Sequence, residues 1–295
     1  QRNVVIEEFK QRYFNNPYGD IWLKLRPLAY KVHPYQWPTI GKNIDHIAGA
    51  SLEEVEDFFH RFYAPDNAIL SISGNITDEK ALELVKKWFG DIPPVRYKRK
   101  ALPMEPQQTE ERRLVCEHNK VPADAIYKVY HMGDRRSDNF YTCDTISDIL
   151  SNGQSSRLYI NLIKNGKLFS EIDAYITGDM DPGLFIFSGK LSEGVAIEEA
   201  EAAIQNEIDR FIEDPISERE LQKVINKTEA RISYSEINYQ GKSANLAFFD
   251  YLGDINLINS ESIRYAEVSL DSIKQTAREL FSTQNCSTLW YLKDK

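Results

Sequence analysis

Few side chains in this sequence stand at spacings that perform chemistry by themselves. His33, His46, His60, His118 and His131 show neither HExxH nor HxxEH spacing, so no two imidazoles meet on one helical turn to grip a metal. Each histidine alone reads as structural. Cys116, Cys143 and Cys286 form no CxxC pair and are odd in number, which argues against both a disulfide framework and a cysteine zinc cage. They read as core thiols. Gly153-Gln154-Ser155-Ser156-Arg157 lacks the second glycine of a nucleophile elbow, and Gly241-Lys242-Ser243 lacks the earlier glycine of a phosphate-binding loop. That leaves Glu7-Glu8. A carboxylate on a helix is ordinarily a solvated face or a cap, so a metal role for this pair needs support from its surroundings.

The elements that would position these residues are legible from periodicity. Residues 3–15, with Val5, Phe9 and Phe14 among charges, and 18–32, with Ile21, Leu23, Leu25 and Leu28, read as helices, and Glu7 and Glu8 lie on the first. Pro34, Pro38 and Gly41 break the pattern into a loop. Ser51 and Glu54 form a capping box for a helix whose Val55, Phe58, Phe59 and Phe62 share a face. Residues 68–73 read as a strand, and Thr77 opens a helix striped by Ala81, Leu84, Val85 and Trp88 and stopped by Gly90. Phe58, Phe59 and Trp88 are expected to be buried together.

Pro93, Pro94, Pro103 and Pro106, with the basic run from Arg96 to Lys100, interrupt all periodicity, so 95–111 reads as an interdomain linker. Beyond it, 112–118 and 126–132 read as strands, followed by a helix from Asp138 and another near Ser155. Residues 171–176 and 184–190 suggest an antiparallel hairpin; stripes led by Ile197 and Leu221 give two long helices. A helix from Ser269 and a strand over 288–292 close the chain. This last stretch repeats the earlier one 218 residues on: Ser269 answers Ser51, Ile273 Val55, Leu280 Phe62, Phe281 Tyr63 and Asn285 Asn67. If one unit has that length, 112–295 is nearly a whole unit and 1–94 is the second half of its counterpart. Val55 and Ile273 are then expected in equivalent core positions.

Several segments together resemble the M16 (insulinase/pitrilysin-type) zinc peptidase family. They are Asn3-Val4-Val5-Ile6-Glu7-Glu8-Phe9-Lys10, Asn16-Pro17-Tyr18-Gly19, His33-Pro34-Tyr35 with Pro38-Thr39-Ile40-Gly41, and the stretch from Ser51 through Ala64-Pro65-Asp66-Asn67 to Trp88-Phe89-Gly90-Asp91-Ile92-Pro93. Ser151-Asn152-Gly153-Gln154-Ser155-Ser156-Arg157-Leu158 resembles a segment of the family's second domain. The resemblance implies an α+β fold of two homologous domains, each an antiparallel-rich sheet with packed helices, closing around an unfolded peptide. It implies zinc held by two histidines of an HxxEH motif, not found in this chain, and by Glu8 as third ligand, with Glu7 facing elsewhere. Such a site leaves one position for water, which the HxxEH glutamate deprotonates for attack on a peptide carbonyl. On this reading the chain is a fragment, inactive alone, of a zinc metallopeptidase. Where many members carry an arginine and a tyrosine that hold the substrate carbonyl, this chain has Ile163 and Ser170, with Lys164 a candidate substitute. That departure favours the rival reading, a non-catalytic M16-like scaffold or partner subunit.

Composition bounds the partners. Against 36 basic residues stand 45 acidic ones, a net charge of -9, so the overall electrostatic footprint of nucleic-acid binding is missing. No apolar run approaches the roughly 20 residues that span a bilayer. The expected partners are an unfolded peptide substrate and an M16 partner subunit or second copy, in the bacterial cytoplasm or periplasm.

Overall fold

The computed structural model describes residues 1–98, 100–118 and 121–294; Arg99, within the basic run, lies outside them. Helix α1 (Arg2–Phe9) runs into a π-helical turn (Lys10–Phe14) and is followed by α2 (Ile21–Ala29), α3 (Ile44–Gly49), α4 (Leu52–Phe62) and α5 (Asp78–Phe89). Then come β1 (Arg112–His118), β2 (Ala125–His131), α6 (Phe140–Ser151), a π-helical segment (Tyr159–Asn165), β3 (Phe169–Ile176) and β4 (Leu184–Leu191). Helices α7 (Ile197–Glu213), α8 (Glu218–Ser235), α9 (Tyr239–Tyr251), α10 (Leu257–Ala266) and α11 (Leu270–Leu280) lead to β5 (Cys286–Lys293).

The five strands form one sheet in the order β1-β5-β2-β4-β3, with β1 parallel to β5 and the other pairs antiparallel. Alternation gives it two apolar faces. On one, Val129, Leu184, Ile186, Leu289 and Tyr291 pack against Ile21, Leu25 and Ala29 of α2. On the other, the rings of Tyr130, Phe185 and Phe187 surround Phe281, just past the end of α11, with centroids 5.1–5.6 Å away. Helix α2 is shorter than the 18–32 expected, because Tyr18 takes a left-handed φ of 61° and uses its hydroxyl to donate to the Ala123 carbonyl.

Contacts divide the chain into two compact units, one of residues 1–44, 102–226 and 265–295, the other of 45–101 and 227–264. The 218-residue repeat explains the interleaving. Helix α9 begins 218 residues after α2, so α2 packs with the sheet of the following repeat while its counterpart α9 falls in the unit that holds α4 and α5.

Three expectations are corrected. Residues 68–73 form no strand. Their counterpart β5 is held between β1 and β2, and a strand needs such neighbours to satisfy its backbone. Phe58, Phe59 and Trp88 are not buried together; each is more than half exposed. Val55 is 55% exposed whereas Ile273 is fully buried. The cause is shared: the sheet that covers α11 has no equivalent over α4 among the described residues. Helices α9 and α10 were not expected at all.

Candidate functional site

Phe9 anchors the first helix. It is buried and packs on Tyr13 and Phe14, so its neighbour Glu8 is turned outward. A Glu8 carboxylate oxygen accepts from Arg12 Nη2 at 2.7 Å, and Glu7 pairs separately with Lys10 at 2.7 Å. The two carboxylates thus diverge. Exposed pairs of this kind contribute roughly 0–1 kcal/mol, so Arg12 is a weak competitor for any cation that Glu8 meets. At the repeat counterpart of Glu8 stands Asn226, a neutral amide that accepts from Gln222 Nε2 at 2.8 Å.

Glu8 supplies a single carboxylate, and among the described residues no three His, Cys, Asp or Glu side chains come together to hold a metal. The residues present therefore do not fit a catalytic zinc by themselves.

The His33–Gly41 loop is a structural joint. Successive backbone N–H groups of Lys31, Val32 and His33 donate at 2.8 Å to the Glu105 carboxylate. Burial alone would raise the Glu105 pKa, but these donors outweigh it and hold the carboxyl below its usual range. His33 is buried with Nδ1 accepting from the Tyr35 N–H, while Tyr30 donates to the Pro182 carbonyl and the Asp181 N–H donates to the Tyr35 hydroxyl. The loop is thereby fixed to the tip of the β3–β4 hairpin. Beside it a cavity of about 520 Å³ is walled by Tyr13, Trp22, Tyr35 and Trp37, with Arg26 and Asp179 supplying one charge of each sign. Sequence reasoning missed this cavity, which draws on three separate segments.

The expected linker is irregular but fastened. Asp66 accepts from the Val95 and Arg96 N–H groups, and buried Gln108 donates to the Cys286 carbonyl at 2.7 Å.

Ile163 lies in the π-helical segment, Ser170 donates its hydroxyl to the Lys190 carbonyl at 3.2 Å, and Lys164 is exposed. Nearby, Arg157 forms two hydrogen bonds to Glu220, which also accepts from Ser217. Burial opposes ionisation of Glu220, yet Arg157 and Ser217 outweigh it and hold the carboxyl at about 2. Under α7, Glu201 accepts from Arg113, from the buried Lys128 at 3.2 Å and from Trp290 Nε1 at 2.7 Å. This cluster satisfies its own charges, as a structural ion network does.

The sheet and its flanking helices define the fold of an M16-type peptidase domain. A solved protease from Helicobacter pylori matches 98% of this chain and 70% of its own at 23% identity, with a TM-score of 0.91. Residues 49–228 match the peptidase M16 inactive domain, and the chain belongs to that family. Its curated relatives include the zinc protease PqqE of Helicobacter pylori, 27% identical over 98% of this chain, and the uncharacterized zinc protease YmxG of Bacillus subtilis, 23% identical over 96%. The chain spans 66% of PqqE and 67% of YmxG, about two thirds of each. Among the described residues no helix is long and apolar enough to cross a membrane.

Proposed function

We propose that this chain works within a longer zinc metallopeptidase that cleaves unfolded peptides enclosed between two homologous domains. Residues 1–94 would be the second half of the first domain, 95–111 the connector and 112–295 the second domain. The observation that carries the reading is Glu8: an outward carboxylate on a firmly anchored helix, restrained by one weak surface cation, at a position where the other repeat has an amide. Zinc would need two further ligands from outside this chain, so the chain alone is inactive in this account. A folded protein and an unfolded peptide of the same sequence, offered to the longer protein, test the enclosure. Equal rates of cleavage would sink it.

A second reading, a non-catalytic M16-like scaffold or partner subunit, is favoured by Ile163 and by Ser170, whose hydroxyl is spent on Lys190. Cleavage of the unfolded peptide would exclude it.

A further inference from the structure

A sheet with two edges must protect both from pairing with other chains. The edge at β3 is guarded: its register with β4 slips between Phe169 and Glu171, and Glu171 and Asp173 stand exposed along it. The edge at β1 is not. Its register with β5 is unbroken through seven residues, and at its middle Val115 is 55% exposed. Alternation puts Arg113, Val115 and Glu117 on one face and Leu114 and Cys116 on the other, the face that α2 covers.

We infer that β1 is an interaction edge that pairs antiparallel with β1 of a second copy of this chain, about a two-fold axis at Val115. Residues opposed in antiparallel strands share a face, so the axis must fall on a residue rather than between two. An axis at Leu114 sets Arg113 against Val115 and Glu111 against Glu117, like charges face to face. One at Cys116 sets Val115 against Glu117. With the axis at Val115, Arg113 of each copy faces Glu117 of the other, Leu114 faces Cys116, Val115 meets itself, and all seven residues pair. Arg113 already holds Glu201 and Glu111, but its side chain is 45% exposed and keeps an outward side. Such a contact is isologous, closes on itself and joins two five-stranded sheets into one of ten strands.

The inference does not rest on the proposed peptidase activity. It is tested by sedimentation of both this chain and the longer protein, with circular dichroism to verify folding. A dimer is expected in both. Glu117→Arg, which sets four arginines at the two charged pairs and leaves the Arg113–Glu201 contact alone, should weaken dimerisation about tenfold. Val115→Lys should give monomer. In a Cys116→Ala background, Val115→Cys should cross-link into a covalent dimer on mild oxidation, whereas Glu117→Cys, roughly four residues from its own copy along the strand, should not. A wild-type monomer, a dimer indifferent to Glu117→Arg, or cross-linking through position 117 rather than 115 would overturn the inference.

Discussion

Asn67 and Asn285 make the same hydrogen bond 218 residues apart. Each follows a capped helix and a short 3₁₀ turn, and each donates its side-chain amide back to the helix end, to Phe62 O at 2.8 Å and to Leu280 O at 2.9 Å. The caps before them correspond too: Ser51 with Glu54, and Ser269 with Ser272. Local chemistry is thus duplicated while burial is not. Asn285 also donates to the His131 carbonyl at 2.9 Å, tying its turn to the sheet. Asn285→Ala is expected to lower stability by about 1–2 kcal/mol in urea titration, and Asn67→Ala to leave it nearly unchanged.

The same contrast tests the domain proposal. Ile273→Asp should cost about 4 kcal/mol or more, since it buries a charge beneath the sheet, whereas Val55→Asp should change stability by less than about 0.5 kcal/mol in this chain. In the longer protein Val55→Asp should become as damaging as Ile273→Asp. If thermal melts show it harmless there as well, no first-domain sheet covers α4.

Glu105→Gln removes the charge that three backbone N–H groups address. A loss of about 2 kcal/mol is expected from denaturant titration, with faster amide exchange at Lys31, Val32 and His33. Unchanged exchange at those three amides would refute the joint.

Glu220 should make stability fall in acid. A carboxyl held at about 2 when folded, against an ordinary 4.5, contributes in full above about 4.5 and loses that contribution as pH falls through about 2. Glu220→Gln should therefore melt well below wild type at pH 7, with the gap narrowing at pH 3. A gap that is constant with pH would mean that Arg157 and Ser217 do not act on an ionised Glu220.

Much of the fold was legible because its signals are local. The capping boxes at Ser51 and Ser217, the stripe of α7 and the alternation of β2 depend on residues close in sequence, and they appear where expected. What failed was long-range. Residues 68–73 carry a strand's side chains without neighbours to pair with, and α4 carries a core stripe without a core. Helix α9 escaped notice because Tyr239, Leu246, Phe248, Phe249 and Tyr251 draw no single stripe. At the candidate site Glu8 was found only through family resemblance, since its spacing to any histidine carries no signal. The Glu105 joint and the Glu201 cluster were missed because their members come from distant segments, although Lys128 in an otherwise apolar strand was a clue.

The central claim is that Glu8 binds zinc in the longer protein, and the most direct measurement is the zinc content of that protein purified as wild type and as Glu8→Gln. Gln keeps the shape and removes the charge that binds a metal. One zinc per chain and peptidase activity are expected in wild type, with both lost in Glu8→Gln while the melting temperature of this isolated chain is unaltered by the same change. Undiminished zinc in the Glu8→Gln protein would contradict the account.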